Sequence, residues 1–411
     1  MRKLVLAVLA FGPALALASG FEVINTNPRD LAMSHSLVAA QQDAAATLGN
    51  PAALSKLDGL NLSLAGTWLG VGTQWTAPSG DPVLKGSAET KSAPVYPVSL
   101  FGAYGTQVNG HGVGVGVGVG VPAGGQVRWP EDWQGRGRII TVERRMLGFY
   151  GNVGYEVLPW LRVGAGGIYY YLNQYFKQGI QNSSTPDAFA ELKTSGGALA
   201  FQLSAEAQPI DGLTIGVDYK HQGVMKTTGD GHFSAPPALQ NFPYVDQGVS
   251  EHLTFPNLLA VGVAWRVTKP VLVTLQYNYS RFQSYQEDDF VGDTGIDIVV
   301  PRRYSDGHVI RGGVEWSTSD KLTLRAGAMR DMSGFNTDAY SPTLPDSHTT
   351  GFSVGGGWTF FPGLAVNAAL FYGDRDKVTV TGTTAFPGSY KTDVWIASLG
   401  LVWATGVGAS K

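Results

Sequence analysis

His111-Gly112-Val113-Gly114-Val115-Gly116-Val117-Gly118-Val119-Gly120-Val121-Pro122 is a stretch that only an extended chain accommodates. A helix would scatter its glycines and valines around the whole circumference and would carry a poor helix former at every second residue. A strand, with its period of two, puts the glycines on one face and the valines on the other. The stretch lies inside Ser92–Val127, a segment without Asp, Glu, Lys or Arg that is long enough to suggest a membrane-crossing helix. Pro94, Pro97 and Pro122 break any such helix, and Asn109-Gly110 marks a hairpin turn. An uncharged, alternating segment in a membrane has one backbone solution, a closed barrel in which every N–H and C=O is paired.

The rest of the chain carries the same texture. Gly 55, Tyr 17 and Trp 10 with 15% charged residues point to many turns and amphipathic aromatics rather than to an ordinary soluble domain. Cysteine is absent, which removes disulfides and thiolate metal sites. Residues 1–18 read as a secretory signal: Arg2 and Lys3, an apolar run from Leu4, then Ala16 and Ala18. Without those two basic residues, 27 Lys and Arg stand against 32 Asp and Glu, a net charge of −5. That balance argues against nucleic acid as a partner.

Alternating segments occupy 60–76, 94–106, 111–122, 138–155, 160–178, 188–208, 212–231, 248–267, 271–285, 302–317, 321–332, 347–361, 363–380 and 390–403. Their connections alternate between short (Leu158-Pro159, Pro362-Gly363) and long (Ala77–Ala93, Gln286–Pro301), the rhythm of periplasmic turns and extracellular loops. The prediction is an all-β fold, a 14-stranded antiparallel transmembrane β-barrel over 60–403, with both termini periplasmic and a short tail at 404–411. In 271–280 the odd residues Val271, Val273, Leu275, Tyr277 and Tyr279 belong to the lipid face, and Thr274, Gln276 and Asn278 to the lumen. By the same rule Thr214, Asp218, Lys220, Arg311, Glu315 and Arg325 face inward. Charges there need partners, which they find in one another or in Glu22, Asp30 and Asp43 of the N-terminal segment.

Fourteen strands enclose more space than wall side chains fill. Residues 19–59 read as short helical turns too apolar for a disordered tail. They are expected to form a mostly helical hatch that plugs the lumen.

Four places resemble the FadL/TodX (OmpP1) family of outer-membrane transporters for long-chain fatty acids and hydrocarbons. They are Gly20-Phe21 with Asn50-Pro51-Ala52 downstream, Trp129-Pro130-Glu131-Asp132-Trp133-Gln134-Gly135-Arg136, Phe255-Pro256-Asn257 before Val261–Trp265, and Leu344-Pro345-Asp346-Ser347-His348. The resemblance covers essentially the whole mature chain. It departs from the family where His348 replaces a frequent Arg and where Ala404–Lys411 follow the terminal aromatic Trp403. It implies a hatch in which Phe21, Glu22, Asn50, Pro51 and Ala52 gate the passage, and release of cargo sideways through a gap at an inward kink of the third strand.

Read from the residues alone, Val121-Pro122-Ala123-Gly124-Gly125 marks a bulge, an edge or a plain exit to a loop. The glycine face before it leaves room for a ligand or the hatch against the wall. Phe189, Phe233, Leu239, Phe242 and Tyr244 either pack their own loops or capture an oily solute. Arg136, Arg138, Arg302, Arg303 and Arg311 are candidates for a ligand carboxylate. No Gly-x-Ser-x-Gly elbow, metal-ligand histidine spacing or dinucleotide fingerprint occurs, so neither catalysis nor a cofactor is expected. The expected activity is passive uptake by a monomer in the bacterial outer membrane, where bilayer lipid is its other partner. The solute is a long-chain fatty acid first and an aromatic or alkane hydrocarbon second. A general hydrophilic porin, or a barrel that serves as adhesin or enzyme, is the competing reading.

Overall fold

A computed structural model describes residues 27–91, 94–180, 188–235, 244–295, 297–381 and 385–406. The leader, Phe21, Glu22, Leu239, Phe242 and the last five residues of the tail lie outside them. Among the described residues no helix is long and apolar enough to cross a membrane; the crossing is made by strands.

Fourteen wall strands close into one antiparallel barrel. In chain order they are strand 1, Gly59–Thr76; strand 2, Val98–Val108; strand 3, His111–Gly120 resumed as Gly124–Arg128; and strand 4, Thr141–Leu158. Strands 5 and 6 are Leu161–Gly179 and Phe189–Ile210; strand 7 is Leu213–His221 resumed as Val224–Ser234; strand 8 is Gln247–Thr254 resumed as Leu258–Thr268. Strands 9 to 14 are Val271–Ser280, Gly307–Ser317, Leu322–Met332, Thr349–Phe361, Leu364–Arg375 and Gly388–Ala404. Strand 1 pairs with strand 2 and, from Asn61↔Ala404 to Thr76↔Ser389, with strand 14, which closes the cylinder. Closure leaves the wall without an open edge.

The two faces separate as the alternation requires. On strand 9, Val273, Leu275 and Tyr277 are exposed while Leu272, Thr274 and Gln276 are buried. Large apolar side chains are therefore on the outside: Leu199 is 80% exposed, Leu399 61% and Val117 64%. These values invert the rule for soluble proteins, because the outer surface meets hydrocarbon. Trp160, Trp265, Trp316 and Phe360 stand exposed near the short turns, and Tyr171, Tyr277 and Trp395 near the other end, as aromatic belts at the two interfaces.

Several strands break where the alternation alone predicts continuity. Segment 248–267 is interrupted at 255–257, where Pro256 has no N–H to give, and 212–231 at Gln222-Gly223, where Gly223 has φ +64°. Segment 271–285 ends as a strand at Ser280, beyond which a 3₁₀ turn Phe282–Ser284 buries Phe282 completely. Segment 302–317 starts as a strand only at Gly307, after Arg303 at φ +50°. The loop between strands 9 and 10 carries a hairpin, Glu287–Gly292 with Ile298–Pro301, that extends both strands outward.

Candidate functional site

Residues 27–58 are surrounded by the inward faces of the wall, and their local shape follows from caps. Asn27 accepts the Arg29 N–H at 2.9 Å, Pro28 supplies a preset φ, and the helix Pro28–Ala32 stops at Ser34 and His35, both in the left-handed region (φ +49° and +59°). Asn50 repeats the device: its Oδ1 accepts the Ala52 N–H, its Nδ2 donates to the Val38 carbonyl at 2.6 Å, and Pro51 opens the 3₁₀ turn Pro51–Lys56. Asn50-Pro51-Ala52 therefore ties two turns of the segment together, and all three residues are buried.

Polar bonds join this segment to the wall on many sides. Arg29 donates to Glu315 at 2.9 Å and to the Ala40 carbonyl at 2.8 Å; Arg325 donates to the same Glu315 carboxylate at 2.7 Å and to Asn367 at 2.8 Å. Ser34 meets Ser353 at 2.8 Å, Ser36 meets Thr274 at 2.6 Å, Gln276 accepts the Val38 N–H, and Ser204 accepts the Ala52 N–H. The glycine face of strand 3 admits the segment's backbone directly. A Cβ on Gly114 would stand 2.1 Å from the Leu54 carbonyl oxygen, and one on Gly112 2.2 Å from that of Ser55. Of the two occupants that a bare backbone face allows, the segment 51–57 is the one in place.

Beside the segment lies a cavity of about 140 Å³. Asp30, His35 and Gln41 line it from the segment, and Asp218, Lys220, Gln276 and Arg311 from the wall. Its apolar side is Tyr150, Tyr170, Leu258, Val121 and Pro122. Lys220 pairs with Asp218 at 2.5 Å, and Arg311 donates to the Ser34 carbonyl at 3.4 Å. Both nitrogens of His35 are buried without a hydrogen-bond partner among the described residues.

Val121 and Pro122 belong to the break in strand 3. Pairs Gly120↔Gly148 and Gly124↔Arg145 flank it, so strand 3 places three residues opposite two of strand 4. This is a β-bulge. Toward strand 2 the ladder ends at Leu100↔Val119; among the described residues no ladder pair joins Val121–Arg128 to that neighbour. The cavity thus ends at a bulge where the ladder between strands 2 and 3 has stopped; on that side the Lys91 N–H donates to the Arg128 carbonyl at 2.7 Å.

The loops at the far end form a compact cap. Trp129 and Trp133 stack at 4.3 Å, Trp75 meets Trp133 edge-on at 6.0 Å, and Phe386 lies 5.3 Å from both Trp75 and Trp133. Each indole N–H is bonded to a loop carbonyl: Trp75 to Pro387, Trp129 to Pro342, Trp133 to Ile139. The Trp-x-x-x-Trp pattern was visible in the sequence, but its role as the core of the cap was not. Of the apolar residues singled out in the loops, the described ones lie at the paired ends of strands 6 and 7: Phe189, opposite Ser234, lies under Lys177 (4.6 Å) and Arg136 (5.3 Å), and Phe233, opposite Ala190, stacks on Tyr244 at 5.5 Å.

The five arginines also separate. Arg311 lines the lumen cavity, while Arg138 and Arg303 line a second cavity of about 220 Å³ among the loops, with Tyr340 and Phe386. Arg302 is buried and held by Asp288 at 2.9 Å. Burial raises the Asp288 carboxyl, but the Arg144 and Arg302 guanidiniums outweigh it and leave the group at about 2. Lys220 was legible as a lumen residue, yet only the fold brings it beside Arg311 at one cavity.

The architecture is that of an outer-membrane β-barrel with residues 27–58 bonded to inward-facing side chains of its wall. The family described as outer membrane protein transport protein (OMPP1/FadL/TodX) matches residues 9–404, and the chain belongs to that family and to the outer membrane. Outer membrane protein P1 of Haemophilus influenzae is 28% identical over 129 residues, 31% of this chain and 28% of that protein, so the matched part spans little more than a quarter of the relative's length. A FadL homologue of Pseudomonas aeruginosa shares the fold at TM-score 0.83 and 17% identity, covering 94% of this chain and 100% of the other. The Pseudomonas putida toluene transporter TodX gives TM-score 0.70 at 15% identity over 94% and 100%, and the monoaromatic hydrocarbon channel CymD 0.68 at 16% over 94% and 99%.

Proposed function

We propose that this protein carries hydrophobic solutes passively across the outer membrane, with residues 19–59 as a plug and the third-strand break as a sideways exit into lipid. The observation that carries the reading is the cavity bounded on one side by the N-terminal segment and on the other by Val121 and Pro122. An apolar solute in that position exchanges protein contacts for acyl chains without crossing water. Partition at ~0.8 kcal/mol per CH₂ drives both binding and release, so no energy source or cofactor is needed. A single barrel suffices, since cavity and exit lie in one chain, and bilayer lipid receives the cargo.

Two solute classes have separate support. Lys220 and Arg311 beside apolar walls suit a carboxylate on an oily tail, as in a long-chain fatty acid. The cavity volume suits a single aromatic ring, since an engineered protein cavity of about 150 Å³ takes up benzene. We favour the fatty acid, because nine polar or charged side chains line the cavity, Gln222 and Asn278 among them, and a plain hydrocarbon would leave them unused.

Deleting Pro122 removes the extra residue and lets strand 3 pair in step with strand 4. Uptake of radiolabelled oleate by cells expressing this variant should fall to background, with the barrel still folded by its heat-shifted gel mobility. Undiminished uptake would rule out the exit. Toluene uptake in place of oleate uptake by the unaltered protein would select the aromatic reading.

A further inference from the structure

Strands 7, 8, 9 and 10 all break at one level. On the membrane side of the break the last pairs are Leu258↔Lys220, Leu258↔Ser280 and Ser280↔Gly307. Above it the ladders resume at Val224↔Thr254, Glu251↔Phe290 and Glu287↔Pro301. The break lies just beyond Tyr277 and Tyr279 of the outer aromatic belt. What stands above it is a four-stranded patch clear of the hydrocarbon: Val224–Ser234, Gln247–Thr254, Glu287–Gly292 and Ile298–Pro301. Strand 6 runs past the break without interruption and holds one side of the patch by the pairs Lys226↔Gly197 to Ser234↔Phe189. The opposite side, Ile298–Pro301, has only its hairpin partner among the described residues and borders the 220 Å³ loop cavity. The patch has a break beneath it, one side paired to strand 6, and an outer side where Ile298 packs against the aromatic cap and borders a cavity.

A buried ionic catch holds this patch inward. Arg144, on strand 4 across the lumen, donates to Asp288 at 2.7 Å and to the Tyr285 hydroxyl at 3.0 Å. Tyr285 donates to Asp288 at 2.6 Å, and Arg302 to its second oxygen at 2.9 Å. On the other side, Arg144 donates to Gln174 at 3.2 Å, and Gln174 in turn to Glu251 of the patch. Asp288 and Glu251 are 0% exposed. No hydrophobic solute crosses such a cluster while it is closed, because the charges would lose their partners in an apolar surrounding. Below the catch, the lumen cavity touches Gln222, Leu258 and Asn278, residues adjoining the break.

We propose that the flap of strands 7 to 10 is the extracellular gate and that Arg144 and Asp288 are the residues that hold it shut. This rests on the transport reading but concerns access from outside, not the exit near Pro122. The native chain has no cysteine, so a protein carrying Arg144→Cys and Asp288→Cys can be bridged by a bifunctional methanethiosulfonate without side reactions. Uptake of radiolabelled oleate and toluene by cells should stop on bridging and return on reduction; uptake by bridged protein at the unbridged rate would overturn the gate. Asp288→Asn alone should raise open-flap events in planar-bilayer current records by about tenfold or more, as expected for a buried charge left unpaired. Unchanged records would count against the catch, even were the unaltered protein to take up neither solute, a result that refutes the transport reading instead. Hydrogen exchange on the unaltered protein needs no variant to fold. Amides of 287–301 should exchange together and faster than those of strand 6, and equal protection would exclude a hinge.

Discussion

Replacing Gly114 by Ala tests whether the N-terminal segment seals the lumen by lying against bare backbone. The new Cβ would stand 2.1 Å from the Leu54 carbonyl oxygen and 2.9 Å from its Cβ. Contacts under 3.0 Å are not sustained, so something moves by at least 0.9 Å, and by 1.3 Å to reach ordinary contact at 3.4 Å. The wall cannot yield, because Gly114 is laced to Gly105 on strand 2 and Gly154 on strand 4. Residues 51–57 must retreat. A shift of that size stretches the 2.9 Å bond from the Ala52 N–H to Ser204 past its useful range. Overpacking costs about 1–3 kcal/mol, and the gain from removing a strand glycine is common to docked and undocked barrels and cancels, so about 1–3 kcal/mol acts against docking. The undocked population should therefore rise about 5- to 150-fold. Frequency of small-ion openings in planar bilayers reads that population. Gly66→Ala is the matched control: nothing lies within 4 Å of its added Cβ, so the same substitution should be silent or slightly stabilising. Equal opening frequencies in the two variants would refute the idea that the segment is a seal seated on strand 3.

Glu315→Gln leaves the Arg29 and Arg325 guanidiniums facing each other without the carboxylate that both use, a loss of about 3–5 kcal/mol. Residues near Arg29 should become accessible to a periplasmic protease, and an unchanged digestion pattern would show that the pair does not anchor the segment. Trp133→Ala removes the stack on Trp129 and the bond to the Ile139 carbonyl, at a cost of about 3–5 kcal/mol. Loops 77–97 and 129–140 should then be cleaved by protease added outside the cell while the barrel stays heat-resistant; loops as resistant as before would mean that the cap does not depend on its tryptophans.

The wall was legible because lipid imposes one rule on every strand, outward apolar and inward polar, and Val271–Ser280 follows it except at Leu272, which is apolar and turned inward. The turns followed from Gly and Pro chemistry at Asn109-Gly110 and Pro362-Gly363. Breaks in the strands were not legible: across Gln222-Gly223 the inward face passes from even residues (Gly216, Asp218) to odd ones (Met225, Thr227), and across Phe255-Pro256-Asn257 from odd (Glu251, Leu253) to even (Gly262, Ala264), a change of phase that the mixed polarity of residues 224–254 hides. Asp288 was hidden for a different reason. It lies in a segment read as a loop, and its burial depends on Arg144, which is 144 positions away. The carboxylate candidates show the same limit: periodicity put Arg311 and Lys220 on inward faces, but which of five arginines share a cavity is decided by loop folding that no local pattern encodes. Trp129 and Trp133 carried a resemblance before they carried a structural role, because the edge-on contact of Trp133 with Trp75 requires the loop after strand 3 to meet the end of strand 1.

A channel for oily molecules must remain tight to water and ions, and three closures of different chemistry stand along this lumen. The cap is aromatic and is held by indole N–H bonds to loop carbonyls. The catch is ionic, with Asp288 between two guanidiniums. The plug combines both, using Arg29 and Arg325 on Glu315 together with close backbone contact at Gly112 and Gly114. A solute able to dissolve in an aromatic cluster weakens the first without touching the second. The second yields only when the flap moves as a unit, because Asp288, Tyr285 and Arg302 share one hairpin and its flanks. The third need not open fully, since the cavity reaches Val121 and Pro122 beside the plug rather than beneath it. On the proposed exit, solute would leave through the wall with the bonds of Arg29 and Arg325 to Glu315 intact, a separation that a straight pore could not provide.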